Sequence, residues 1–168
     1  IIATKPDAAF LATGGLTLMP SIPGIESDNV IDAYALLMGE QVELPSPEDT
    51  PIIVYGGGET GCETAEYLLE RGYKVALVTR SRKSQLARAA EMIYRGSLLQ
   101  RLLSNPNITI YQQTTLIAVE QGLVKLEPEE GSNFEISAAA VLIAQGRRPD
   151  TSLMDALREA GIRCYLLG

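Results

Sequence analysis

The sequence predicts an α/β fold, a Rossmann-like parallel sheet carrying a three-stranded antiparallel meander. Three observations predict it. An apolar run, Ile52-Ile53-Val54-Tyr55, enters the pattern Gly56-Gly57-Gly58-Glu59-Thr60-Gly61, which opens an amphipathic helix and is followed by a second strand over residues 73–79. A further helix over residues 97–103 leads to a third strand over residues 108–111, and crossovers of this kind require parallel strands. Residues 116–119, 123–127 and 134–136 then read as three short strands separated by polar turns, the pattern of a meander.

The remaining elements follow in order. Residues 8–13 are a short buried strand stopped by Gly14-Gly15, and a loop through Pro20, Pro23 and Gly24 comes next. Residues 28–38 carry Val30, Ile31, Tyr34, Leu37 and Met38 at helical spacing and predict a helix ended by Gly39. The polar, proline-rich connection over residues 43–51 is the expected domain boundary. In the central helix Cys62, Ala65, Leu68 and Leu69 make the face that covers the sheet, and Arg71-Gly72 closes it. Residues 140–144 form an apolar strand ending at Gly146. A short helix over residues 152–160 and a strand over residues 163–167 complete the chain.

Each glycine of the central pattern has a task in a dinucleotide-binding turn. Gly56 permits the tight turn, Gly58 lets the backbone approach a pyrophosphate, and Gly61 lets the helix pack closely on the sheet. The free N–H groups and the positive end of the helix dipole favour a phosphate there without side-chain charge. Gly57, Glu59 and Thr60 join them as candidate cofactor-binding residues. A glycine-rich turn without a ligand is the alternative.

At the end of the second strand such folds usually place a carboxylate that accepts hydrogen bonds from the adenosine ribose. Here Thr79 stands in that place, followed by Arg80, Ser81, Arg82 and Lys83. Neutral Thr79 does not repel a 2′-phosphate, and arginine grips phosphate through charge-assisted bonds of about 1.5–3 kcal/mol each. These residues favour NADPH over NADH, with a solvated basic loop as the alternative. Tyr55, before the glycines, is expected to pack at the strand end.

Composition narrows the function classes. The chain has 168 residues, 46% of them hydrophobic, enough for one good core or two small ones. With 14 basic and 21 acidic residues the net charge is −7, which opposes nucleic-acid or anionic-membrane partners. No apolar stretch approaches the ~20 residues that span a bilayer. Cys62 and Cys164 form no CxxC or metal-ligand spacing, and histidine is absent, so a reduced, cytoplasmic setting is expected and no metal site. A first residue of Ile1 and a strand-like run soon after it read as a piece of a longer protein.

Four stretches, in order, resemble flavoprotein pyridine-nucleotide oxidoreductases in which an NAD(P) domain is inserted into an FAD domain. Ala12-Thr13-Gly14-Gly15 resembles the loop where the FAD domain is first left, and residues 56–61 with Glu63 and Ala65 resemble the NAD(P) fingerprint. Residues 144–150, Ala-Gln-Gly-Arg-Arg-Pro-Asp, resemble the return crossover, and Tyr165-Leu166-Leu167-Gly168 the final FAD strand. The run Gly61-Cys62-Glu63-Thr64-Ala65-Glu66-Tyr67-Leu68 is most similar to 2,4-dienoyl-CoA reductase and related NADH:flavin oxidoreductases.

The resemblance implies partial FAD-domain segments at residues 1–49 and 145–168 around an NAD(P)-binding domain at residues 50–144. It implies that NAD(P)H passes hydride to FAD in an intact parent that also carries a flavin barrel domain. Ala12, Thr13, Gly14 and Gly146 become candidate cofactor-binding residues, and Glu63 is placed near the nicotinamide, where a first-turn acid complementing the helix dipole is the other reading. The FAD fingerprint expected upstream of Ile1 and the acid expected after Gly168 lie outside the chain, so FAD is not expected to be retained by this piece alone. No residue is expected to act as acid or base, and the piece alone is expected to be inactive. A ferredoxin- or disulfide-reductase-like flavoprotein and a non-catalytic nucleotide-binding module remain alternatives.

Overall fold

The computed structural model describes residues 2–47 and 49–167. Ile1, Glu48 within the expected boundary connection and Gly168 at the end of the expected final-strand motif lie outside the described residues. In chain order the elements are β1 (Ala8–Leu11), β2 (Gly15–Thr17), β3 (Val30–Asp32), α1 (Ala33–Leu37), β4 (Ile52–Tyr55), α2 (Glu59–Glu70), β5 (Val75–Val78) and α3 (Met92–Ser104). There follow β6 (Ile108–Tyr111), β7 (Thr114–Glu120), β8 (Leu123–Pro128), β9 (Phe134–Ser137), β10 (Val141–Ile143), β11 (Arg147–Pro149), α4 (Met154–Glu159) and β12 (Arg163–Leu166). Contacts divide the chain into two units, residues 19–146 and residues 1–18 with 147–168.

The larger unit is built on a five-stranded parallel sheet of order β3-β10-β4-β5-β6. β4, β5 and β10 are buried at every residue, as strands covered on both faces must be. Strand alternation decides which layer each side chain meets. Ile52, Val54, Val75, Leu77 and Leu142 share a core with Cys62, Ala65 and Leu68 of α2 and Leu98 and Leu102 of α3. Ile53, Tyr55, Ala76, Val78 and Ile143 share another with Leu116, Val124 and Leu126 of the antiparallel meander β7-β8-β9. Each fully buried Ile or Leu stabilises by about 1.5–3 kcal/mol, so the meander is a structural layer rather than an ornament. Tyr55 packs here at 3% exposure, as expected.

Two expectations are corrected. The helix expected over residues 28–38 is instead strand β3 and the short helix α1. Val30 and Ile31 pair in parallel with Val141 and Leu142, and Asp32 ends the strand by accepting the Tyr34 N–H at 2.9 Å as the helix cap. The helix expected over residues 97–103 starts earlier, at Met92, because the Glu91 carboxylate caps it by accepting the N–H groups of Ile93 and Tyr94. Pairing of β3 with β10 draws residues 19–49 into the larger unit, which then ends at Gly146.

In the smaller unit β1 pairs in parallel with β12, and β2 antiparallel with β11. Leu11, Met154, Leu157 and Ile162 form its core. The two stretches read as crossover loops meet: Thr13 Oγ1 donates to the Asp150 carbonyl at 2.6 Å, and the Asp150 N–H donates to the Gly14 carbonyl at 3.0 Å.

Candidate functional site

β4 occupies the middle of the sheet, with β5 and β6 to one side and β10 and β3 to the other. This reversal of strand order opens a crevice beyond the carboxyl ends, where open α/β sheets take ligands. A cleft of about 440 Å³ lies there. Its walls are the glycine turn and start of α2 (residues 56–60), the end of β5 (residues 79–81), Gln85, Arg88 and Ala89 of the next loop, and residues 144–146 after β10. A larger cavity of about 800 Å³ lies at the amino ends of the strands, around Asn29, Thr50 and Ala138, and no helix start lines it.

The turn is shaped by contacts that exclude side chains. Gly56 has φ 138°, and a Cβ on it would collide with the Ala144 carbonyl oxygen. A Cβ on Gly61 would collide with the Gly56 carbonyl, so the glycine lets the helix approach the turn itself more than the sheet beyond it. Gly58 differs. It sits at the N-cap of α2 with φ −72°, and a Cβ there would meet no protein atom within 4 Å. No side chain caps this helix, leaving its first N–H groups without a side-chain acceptor.

Thr79 follows β5 and is only 2% exposed, packed where a Cβ on Gly57 would strike its Oγ1. That hydroxyl accepts the Ser81 N–H at 3.1 Å. Arg80 lines the cleft and donates from Nη2 to Gln145 Oε1 at 3.0 Å, while Gln145 Nε2 donates to the Tyr55 carbonyl at 3.2 Å. Gly146, with φ 94°, completes that wall.

Other expected residues lie off the lining. Arg82 precedes the turn Lys83–Gln85, and the Lys83 N–H donates to Gln112 Oε1 at 2.9 Å. Glu63 accepts the Tyr94 hydroxyl at 2.6 Å, a bond that pushes that phenol up to about 12. Ala12, Thr13 and Gly14 belong to the smaller unit. Cys62 is wholly buried beside the Gly57 carbonyl, and desolvation pushes its thiol up to about 11.

The sequence reading missed Gln85, Arg88 and Gln145 as lining residues. The available signal was the apolar pair Leu86-Ala87 inside a polar loop. Both are fully buried, and the Ala87 N–H donates to the Gly57 carbonyl at 2.9 Å, which turns the loop back onto the glycine turn.

Residues 3–166 match the family described as pyridine nucleotide-disulphide oxidoreductase. The chain belongs to that family. The glycine turn just described lies within a Rossmann-like FAD/NAD-binding fold. An NADH oxidase of Thermoanaerobacter brockii is 33% identical over 174 residues, which cover all of this chain and 25% of the relative. A bilirubin reductase of Mediterraneibacter gnavus is 30% identical over 168 residues, with 100% and 25% coverage. The structure of a 2-naphthoyl-CoA reductase complex superposes with a TM-score of 0.81 at 25% identity, covering 99% of this chain and 24% of that one. The chain thus spans about a quarter of the length of these curated relatives. Among the described residues no helix is long and apolar enough to cross a membrane.

Proposed function

We propose that this chain is the nicotinamide-nucleotide-binding part of a flavin-dependent oxidoreductase, and that the cleft at the carboxyl ends of β4, β5 and β10 takes the dinucleotide. One observation carries the reading: the turn from Gly56 to Gly61 is closed against its own backbone but open in front of Gly58, at an uncapped helix start. That is the geometry in which backbone N–H groups hold a diphosphate. A reduced nicotinamide supplies the hydride that a flavin of the parent protein accepts, and this chain contributes position and electrostatics. Gly57, Gly58, Glu59 and Thr60 would hold the diphosphate, and residues 144–146 would bound the opposite wall.

Arg80 and Arg88 place two guanidinium groups on the wall after β5, and Thr79 adds no negative charge there. This supports NADPH over NADH, with Arg82 and Lys83 adding positive potential from outside the lining. The likeness to an NADH oxidase favours the second reading, NADH. The likeness to 2-naphthoyl-CoA reductase supports a parent of the enoate or dienoyl-CoA reductase kind. A disulfide-reductase-like parent fits the family equally well.

FAD belongs, on this reading, to the intact parent protein with its flavin barrel domain. A cytoplasmic setting accompanies this reading, in keeping with two free thiols.

Anaerobic titration of the flavin-loaded parent with NADPH and NADH, following flavin absorbance, tests the proposal. Flavin reduction with tighter NADPH binding is expected. Equal affinities, or tighter NADH, would refute the NADPH preference, and a nucleotide found bound away from residues 56–61 would refute the site.

A further inference from the structure

We infer that Arg95, on α3 and outside the cleft lining, is a positioning residue that sets the shape of one cleft wall. The inference rests on the cleft being the nucleotide site.

The wall in question is the loop between β5 and α3, which brings Gln85 and Arg88 to the cleft. Beyond the turn Lys83–Gln85 it forms only turns, such as the Ala90 N–H to the Ala87 carbonyl at 3.0 Å, so its position depends on bonds to other elements. Arg95 supplies two of them. Its Nε donates to the Leu86 carbonyl at 2.8 Å and its Nη2 to the Ser84 carbonyl at 2.7 Å, so one planar guanidinium brackets Gln85. The Arg95 backbone is itself held in the first turns of α3, where its N–H donates to the Glu91 carbonyl at 2.8 Å.

The next residue shows that the loop is held in an unfavourable shape. Ala87 has φ 46°, a left-handed conformation that a side chain disfavours, and it is fully buried. Such strain persists only where surrounding bonds over-determine it, and it gathers at functional sites. Here Arg95 holds the residue before Ala87, and the Gly57 carbonyl accepts the Ala87 N–H. At adjacent residues the loop is thereby tied to a helix and to the glycine turn. Arg95 acts through this loop: it keeps Gln85 and Arg88 at the cleft before a nucleotide arrives, which lowers the ordering cost of binding. Lysine cannot replace it, because an ammonium does not present two parallel donors in one plane.

The test measures flavin reduction in the flavin-loaded parent by anaerobic stopped flow, across a range of NADPH and then NADH concentrations. Arg95→Met should raise the apparent Kd about tenfold or more, since the competent wall is then populated only in part, while the limiting rate changes by less than about twofold. Arg95→Lys should recover only part of the lost affinity. Arg95→Gln, which keeps a donor for only one of the two carbonyls, should raise Kd less than Arg95→Met does, and it serves if Arg95→Met does not fold. An unchanged Kd in Arg95→Met or, should that variant not fold, in Arg95→Gln, or a fall in limiting rate at constant Kd, overturns the inference. If the unaltered parent binds neither nucleotide, the functional reading falls with it; if the parent binds and Arg95→Met binds equally well, only the positioning role falls.

Discussion

The carbonyl oxygen of Gly56 fills the space that a side chain at Gly61 would need. Strand end and helix start thus touch backbone to backbone, and the contact sets how close α2 comes to the end of β4. Gly58, between them, has its α-carbon facing open space. Within one turn, two glycines serve different ends, one the fold and the other the cleft.

That difference separates two substitutions. Gly61→Ala forces a Cβ into backbone that no rotamer change can relieve, so a loss of about 1–3 kcal/mol in stability is expected together with loss of nucleotide binding. Gly58→Ala, at an ordinary φ of −72° with no protein neighbour, should leave Tm nearly unchanged yet weaken nucleotide binding more than about tenfold. Thermal unfolding and nucleotide titration of both variants check this. Parallel losses in the two variants would contradict it.

Basic residues of the loop should divide by position. Replacing Arg80 or Arg88 by Met should reduce NADPH affinity about tenfold more than NADH affinity, the scale of one charge-assisted phosphate bond. Arg82→Met, outside the lining, should change both by less than about threefold. Kd values for each nucleotide against each variant decide it, and an equal loss at Arg82 would move the 2′-phosphate site.

Cys62 should be chemically silent in the native protein. Burial raises its thiol from 9.0 to about 11, so thiol reagents at pH 8 should modify the partly exposed Cys164 and spare Cys62 until the protein unfolds. The linkage has a defined sign. Between pH 9 and 11 the unfolded thiol has lost its proton while the folded one keeps it, so this contribution is fully present below pH 9 and is lost as pH rises through 11. Cys62→Ala should flatten the alkaline fall in stability, as measured by denaturant titration at pH 7 and pH 10.

The cap of α3 should respond at the acid end. Backbone N–H groups of Ile93 and Tyr94 hold the Glu91 carboxyl below its usual 4.5. A lowered folded pKa gives stability that is present above 4.5 and is lost as pH falls through the lower folded value. Glu91→Ala should therefore lower Tm by about 2–4 °C at pH 7, with the difference closing toward pH 3.

Much of the architecture could be read from residue order, and the exceptions have identifiable causes. Ile52 to Tyr55, the glycine turn, the α2 face and the meander all declare themselves within a few residues, through apolar periodicity and glycine spacing. Residues 28–38 misled because Val30 and Ile31 suit either a helix face or a strand, and the choice was made by pairing with Val141 and Leu142 far along the chain. The early start of α3 was hidden because Met92 and Ile93, at 80% and 77% exposure, carry no buried periodicity, leaving only the Glu91 cap. Gln85 and Arg88 were marked only indirectly, by the apolar pair Leu86-Ala87 between them, since their placement depends on Arg95 and Gly57.

Residue order alone established the layered α/β core and the glycine turn, because both obey short-range rules: side chains alternate along a strand, and some backbone turns admit no Cβ. Folding in three dimensions settled which parts of the basic loop reach the cleft, where the units divide and which face of residues 28–38 is buried. Those outcomes depend on bonds between residues distant in sequence, such as β3 with β10 and the Ala87 N–H with the Gly57 carbonyl, and local pattern does not encode the partner.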